Sequence, residues 1–216
     1  FLAESLDGEG VEVAPMPAEP CRGLYAPIMS LPFLLGAEVG VDRPYLRPSP
    51  ARAAAWAERL GEKTRPRVGL VWQGNPRYRG DADRSAPLDA FRPLLELEGV
   101  EVLSLQQVHG LEQLDALPVR PRILEGVDAE GAFLDTAAIM ASLDLVVTTD
   151  TAPAHLAGAI GVPAALVLSA RPDWRWGQGP EAWYPRMQAF RQPALGDWSG
   201  AVEAVLEHVR RRFALP

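Results

Sequence analysis

Three polar clusters hold the residues with the chemistry to grip a phosphorylated ligand. The first is Thr148-Thr149-Asp150-Thr151-Ala152-Pro153-Ala154-His155. It combines hydroxyls, a carboxylate and an imidazole with a proline that suits the first turn of a helix. Backbone N–H groups at such a helix start have no partner within the helix and attract anions. Thr149, Asp150 or Thr151 is expected to cap this helix, and Thr149, Asp150, Thr151, Ala152 and His155 to surround a diphosphate. His155 could touch a phosphate or a sugar. The second cluster runs from Trp72 to Ser85 and contains Gly74, Asn75, Arg77, Arg79 and Arg84. Forked guanidinium groups match phosphate oxygens, and Ser85 could cap a following helix. The third contains Asp173, Trp174, Arg175 and Trp176, with Trp183-Tyr184-Pro185 beyond. Aromatic faces interleaved with arginine suit a sugar or a base.

Each cluster follows an apolar run that reads as a buried strand: Arg67–Trp72, Leu143–Thr149 and Leu166–Leu168. Unbroken apolar runs belong to strands covered on both faces, as in parallel sheets. Loops leaving the carboxyl ends of such strands emerge on one edge, where open α/β sheets bind ligands. Further elements alternate with these: helices at 50–60, 88–97, 111–117, 135–142 and 199–213, and strands at 100–105, 123–124 and 187–190. Ser49-Pro50 and Gly61 bracket the first helix, and Asp135 is expected to cap the fourth. The pattern predicts a doubly wound α/β domain with a Rossmann-like parallel sheet over residues 51–216. Residues 1–50 carry eight prolines, which disfavour regular helix. They read as a remnant of an upstream domain plus a linker, with extended pieces near 11–14 and a packed apolar segment at 28–35.

Composition narrows the classes. The chain has 216 residues, 48% hydrophobic and 23% charged, with a formal net charge of -7. Those are ordinary globular values, and the negative balance argues against a general nucleic-acid binder. Arg210-Arg211-Arg212 is read as complementing a helix C-terminus rather than as a nucleic-acid tail. Cys21 is the only cysteine, which excludes an intrachain disulfide and suits a reducing, cytoplasmic setting, with peripheral contact at an inner membrane an option. Lys63, the only lysine, lies in a polar stretch and reads as solvated. His109, His155 and His208 lack metal-ligand spacing, so neither metal nor cofactor is expected. No apolar run is long enough for a membrane span.

The segment Asp150-Thr-Ala-Pro-Ala-His-Leu-Ala-Gly-Ala-Ile-Gly-Val-Pro163 resembles the Asp-Thr-small-Pro-x-His-Leu-Ala-x-Ala-x-Gly-x-Pro signature of family 9 glycosyltransferases, which include the lipopolysaccharide heptosyltransferases. Val68–Pro76, Asp83–Ser85, Pro172–Trp176, Trp183–Pro185, Phe190–Gln192 and Gly196–Trp198 make it more similar still to bacterial tetratricopeptide-repeat proteins ending in such a domain. A weaker likeness reaches the O-linked N-acetylglucosamine transferases. The resemblance implies a GT-B architecture, with this chain as its C-terminal, donor-holding half. The Gly-Asp loop and catalytic aspartate of the family's amino-terminal domain have no counterpart here, so the catalytic base is unassigned.

The reading that follows is a glycosyltransferase fragment that binds a nucleotide-diphosphate sugar for an unknown acceptor: a glycan, a lipid-linked sugar or a protein. The alternative is a non-catalytic binding or scaffold module of a repeat protein. An epimerase of GT-B form would need a second acid or base beside His155.

Overall fold

The computed structural model of the chain describes residues 30–36, 43–177, 179 and 183–216. Five parallel strands form one sheet: β1 (Arg67–Val71), β2 (Glu101–Ser104), β3 (Leu145–Thr149), β4 (Ala164–Leu168) and β5 (Met187–Arg191), in the spatial order β2-β1-β3-β4-β5. Register pairs Val68 with Leu145 and Val147 with Ala165's strand through Ala165 itself. The helices are α1 (Leu31–Leu35), α2 (Pro50–Leu60), α3 (Asp81–Arg84), α4 (Arg92–Leu95), α5 (Leu134–Met140), α6 (Ala152–Ile160) and α7 (Trp198–Phe213). The expected doubly wound α/β architecture is what the chain adopts.

The three central strands, β1, β3 and β4, are buried along their whole length because both sheet faces are covered there, whereas the edge strand β5 exposes Gln188 and Arg191. In β4, Ala164, Leu166 and Leu168 face a core built by α2, α5 and α6. Ala165 and Val167 face the opposite core, filled by Leu88, Phe91, Leu94 and the apolar side of α7. This alternation is the two-residue period of a strand. Gly69 in β1 keeps the sheet tight, since a Cβ there would lie 2.6 Å from the side chains of both Leu105 and Leu143.

The order of the strands matters for the site. The chain steps from β1 outward to β2, then returns across β1 to β3. Connections from β1 and β3 therefore diverge, and a crevice opens outside their carboxyl ends.

Several local expectations give way to particular side chains. The helix expected over 88–97 is a 3-10 turn at Leu88–Phe91 followed by one α turn at α4. Pro93 has no N–H to continue an α ladder. Leu111–Ala116 is also 3-10 rather than α. The strand expected at Ile123-Leu124 reduces to one bridge, Leu103 to Arg122. Ser49 makes no side-chain cap, although Pro50 and Gly61 bound α2 as expected. Asp135 does not cap α5: the Asp128 carboxylate does, accepting from the amides of Asp135 and Thr136 at 2.7 and 3.1 Å. Asp135 instead turns inward and accepts from Trp56 Nε1 at 2.8 Å and from the Asp128 amide at 2.9 Å. Asp128 and Phe133 both take positive φ, so the loop doubles back in a way no linear capping pattern shows.

The extended pieces expected near 11–14 lie outside the described residues. Phe33, Leu34 and Leu35 of α1 are exposed, not packed as expected. The last helix meets expectation: α7 starts at Trp198, and Asp197 Oδ1 accepts from the Gly200 amide at 3.0 Å. Lys63 is half-exposed and pairs with Asp144 at 2.9 Å.

Candidate functional site

The three clusters meet. A cleft of about 390 Å³ is walled by Tyr78 and Arg84 after β1, Asp150, Thr151, Ala152 and His155 after β3, and Ser169, Arg171, Asp173 and Arg175 after β4. A second cavity of about 250 Å³ lies on the β2 side. Its walls include Val71, Leu105, Val108 and Phe133, with the amides of Asn75 and Gln106. Arg84, Thr151 and Ala152 line both cavities and so form the partition between them.

The partition is the start of α6. Thr151 occupies its N-cap position with extended backbone, yet its side chain makes no capping bond. Its Oγ1 turns back to the Thr149 carbonyl at 3.3 Å and lies 3.4 Å from Thr148 Oγ1. The expected threonine or aspartate cap is therefore absent. Pro153 has no N–H, and the Ala154 amide is taken by the Thr151 carbonyl at 3.0 Å. Among the described residues, the Ala152 N–H at this helix start has no protein acceptor. Ala152 lines both cavities, at the positive end of the helix dipole.

Arg84 supplies the charge beside that amide. Its Nε donates to Asp81 Oδ1 at 3.1 Å and its Nη1 to the Asp150 carbonyl at 3.2 Å. Its guanidinium carbon lies 4.5 Å from the centre of the Tyr78 ring, a cation–π contact. Asp81 is buried and also accepts from Ser85 Oγ at 2.9 Å. Ser85 Oγ in turn accepts from the Gly74 amide at 2.9 Å, so it braces the loop rather than capping the next helix. Gly74 is required for this closeness, because a Cβ there would lie 2.4 Å from Asp81 Oδ1.

The remaining candidates separate. Arg77 and Arg79 are exposed and line neither cavity. Asn75 lines the second cavity while its Oδ1 accepts from the Arg77 amide at 3.0 Å. Thr149 is fully buried beneath the cleft, its Oγ1 without a protein partner. Asp173 and Arg175 line the first cleft, with the Asp173 carboxylate accepting from the Arg175 amide at 3.0 Å. Trp174 is exposed and packs edge-on against Trp183, with ring centres 6.1 Å apart. Trp176 is wholly buried and stacks on His155 at 5.1 Å, so it backs the cleft instead of lining it.

His155 is mostly neutral near pH 7. Burial pushes its pKa below the ordinary histidine value, Asp150 opposes that, Arg175 adds to it and Asp173 opposes. Its Nδ1 lies 3.1 Å from the Tyr184 hydroxyl.

Sequence reasoning overlooked Gln106, and it set Asp81 and Tyr184 in or beside their clusters without giving either a role. Gln106 Oε1 accepts from the amides of Trp72 and Gln73, each at 3.0 Å, while its Nε2 donates to the carbonyls of Gln73 and His109. It ties the loop after β1 to the loop after β2, and its place just past a strand end was the available signal. Asp81 and Tyr184 carry no local signal, since their partners are set by the folded loops.

No family model matches the chain. Protein FlbA of Caulobacter vibrioides is 31% identical over 173 residues, which are 77% of this chain and 29% of FlbA. Escherichia coli ADP-heptose lipopolysaccharide heptosyltransferase II superposes with a TM-score of 0.55 at 17% identity, over 81% of this chain and 56% of that one. A glycosyltransferase family 9 protein from Veillonella parvula gives 0.58 at 14%, over 78% and 53%. Escherichia coli heptosyltransferase WaaC, solved with ADP-2-deoxy-2-fluoro heptose, gives 0.52 at 19%, over 73% and 47%. The fold is similar to that of about half of each of these GT-B heptosyltransferase-like structures. The chain spans under a third of FlbA and about half of each of these solved structures.

Proposed function

We propose that the chain holds a nucleoside-diphosphate sugar and is the donor-binding half of a glycosyltransferase. The observation that carries this reading is the partition: one unpartnered helix-start amide and one braced arginine, shared by two cavities of different character. A diphosphate at the partition accepts from the Ala152 N–H and from Arg84, as charge-assisted hydrogen bonds. The β2-side cavity, with Val71, Leu105 and Phe133 on its walls, suits the flat apolar faces of a base. The polar cleft beside Asp150, His155, Asp173 and Arg175 suits a sugar.

Transfer breaks the bond between the anomeric carbon and the diphosphate oxygen, and negative charge collects on the leaving group. Fixed donors aimed at that oxygen stabilise it without having to reorganise. Asp81, Tyr78 and the Asp150 carbonyl fix Arg84 in advance. The acceptor, whether glycan, lipid-linked sugar or protein, and the base that deprotonates it belong to the longer protein in this reading. The similar WaaC was solved with an ADP-sugar analogue, which makes ADP the first probe. Among the described residues no helix is long and apolar enough to cross a membrane.

Calorimetric titration with ADP tests the proposal. Saturable binding that Arg84→Ala weakens by about tenfold, or ~1.4 kcal/mol, supports it. An affinity for ADP that Arg84→Ala leaves intact contradicts it.

A further inference from the structure

The two edge strands of the sheet, β2 and β5, end alike. In a parallel ladder, an accepting carbonyl is followed two residues on by an amide that donates back to the partner strand. On the β5 edge, the Gln192 amide donates to the Leu168 carbonyl at 2.9 Å. The next rung would join the Ala170 amide to the Gln192 carbonyl. It goes to the Gln192 side chain instead, whose Oε1 accepts from Ala170 at 3.1 Å. On the β2 edge, the Leu105 amide donates to the Leu70 carbonyl at 3.0 Å. The next rung would join the Trp72 amide to the Leu105 carbonyl, and it goes to Gln106 Oε1 at 3.0 Å. At both edges a carboxamide replaces a peptide carbonyl at the last rung. Both side chains belong to buried residues, Gln106 at 8% exposure and Gln192 at 4%.

The replacement frees the edge strand to turn away while the exit of the central strand stays held. Pro193 follows Gln192, and the chain turns toward α7. Gln192 Oε1 also accepts from the Gly196 amide at 3.3 Å, just ahead of the Asp197 cap of α7. Gln192 therefore ties the start of that helix to the loop after β4. That loop is one wall of the polar cleft, through Ser169, Arg171, Asp173 and Arg175. Ser169 Oγ accepts from the Arg171 amide at 3.1 Å and Asp173 Oδ1 from the Arg175 amide at 3.0 Å. Those two bonds are local and travel with the loop. The bond to Gln192, together with that of the Arg191 guanidinium to the Trp176 carbonyl, fixes it to the β5 side of the sheet.

We propose that Gln192 is a positioning residue for the sugar-side wall, and that it sets how much tighter a nucleoside-diphosphate sugar binds than the bare nucleoside diphosphate. This rests on the donor-site reading above. In that reading the diphosphate meets the Ala152 amide and Arg84. Arg84 is held by Asp81 and the Asp150 carbonyl, outside the reach of Gln192. Loosening the loop after β4 leaves those donors in place and releases the groups that face the sugar. Gln106 does the corresponding work for the loop after β1, beside the other cavity.

The test uses the 216-residue chain and two replacements of similar length. Gln192→Met removes the acceptor, and Gln192→Glu keeps an oxygen for both amides. The probes are ADP and ADP-heptose, the latter named for the similar Escherichia coli enzyme. Calorimetry reads affinity, and amide hydrogen exchange reads the rung at Ala170. In the parent chain ADP-heptose is expected to bind tighter than ADP, with the Ala170 amide protected. Gln192→Met is expected to raise the Kd for ADP-heptose by about fivefold or more, to hold that for ADP within about twofold, and to lose the protection at Ala170. Gln192→Glu is expected to restore the parent pattern. Gln192→Asn, with its oxygen drawn back by one methylene, gives the same comparison where Gln192→Met does not fold. A merely structural role would weaken both ligands together. Equal losses for the two ligands, ADP-heptose binding no tighter than ADP in the parent chain, or a Gln192→Glu that behaves as Gln192→Met overturns the proposal. A parent chain that protects Ala170 yet binds neither ligand overturns the donor-site reading, and the role of Gln192 with it.

Discussion

The Arg84 guanidinium spans the crevice and donates to the backbone carbonyl of Asp150, 3.2 Å away, joining the loop after β1 to the loop after β3. The bond places a positive charge beside the Ala152 amide and gives the two cavities a common wall. Of the three arginines in its loop, only Arg84 has this place.

The arginines should therefore separate by mutation. Arg84→Ala is expected to raise the Kd for ADP by about tenfold or more, whereas Arg77→Ala and Arg79→Ala should each stay within about twofold, or ~0.4 kcal/mol. Calorimetry on the three single variants at fixed salt checks the ranking. Equal losses from all three would mean a diffuse electrostatic surface, not a built site.

Asp81 should matter through Arg84. Asp81→Asn keeps the volume but removes the charge that orients the guanidinium, so ADP binding should weaken by less than in Arg84→Ala. Loss of the charge-assisted bonds of this buried carboxylate should also lower stability by about 1–3 kcal/mol. Urea unfolding measures the second effect and calorimetry the first. The Asp81→Asn, Arg84→Ala double variant should bind ADP no worse than Arg84→Ala alone.

Gly158→Ala should be costly for a helical glycine. Relative to glycine, alanine favours a helix interior by about 1 kcal/mol, yet here its methyl group would strike the ring base of Tyr184, not a flexible end. A net destabilisation of ~1–3 kcal/mol is expected. Thermal unfolding would show it, and a raised Tm in Gly158→Ala would show that Tyr184 does not rest on α6.

Acid should unfold the domain partly through Asp135. Burial alone would raise its carboxyl pKa, but Trp56 Nε1, the Asp128 amide and the Arg52 guanidinium outweigh that and hold it below the usual carboxylate range. A depressed folded pKa contributes stability above the unfolded value and loses it as pH falls through the folded one. Glu101 and Asp144 are depressed in the same way. Stability measured by urea unfolding should therefore fall below the ordinary carboxylate range, and the slope should be shallower in Asp135→Asn.

The sheet was legible because its central strands are covered on both sides, which leaves unbroken apolar runs such as Val68–Trp72 and Ala164–Leu168. The edge that carries the site was legible for the same reason: parallel strands send their loops to one side. What linear reading missed depends on chain reversals. Asp128 caps α5 from seven residues away through a loop with two non-glycine residues at positive φ. Arg84 differs from Arg77 and Arg79 only through a buried carboxylate that orients it. Trp176 looked like a ligand contact by type, yet burial turned it into the support for His155. Tyr184 meets that histidine across 29 positions of sequence.

The central claim concerns one amide and one guanidinium, and nitrogen-15 spectra of the chain titrated with ADP address it most directly. The account predicts that the Ala152 amide and the Arg84 Nε–H shift together, saturate at one affinity, and move more than signals on the far edge of the sheet. Saturable ADP binding that leaves both resonances in place would contradict it.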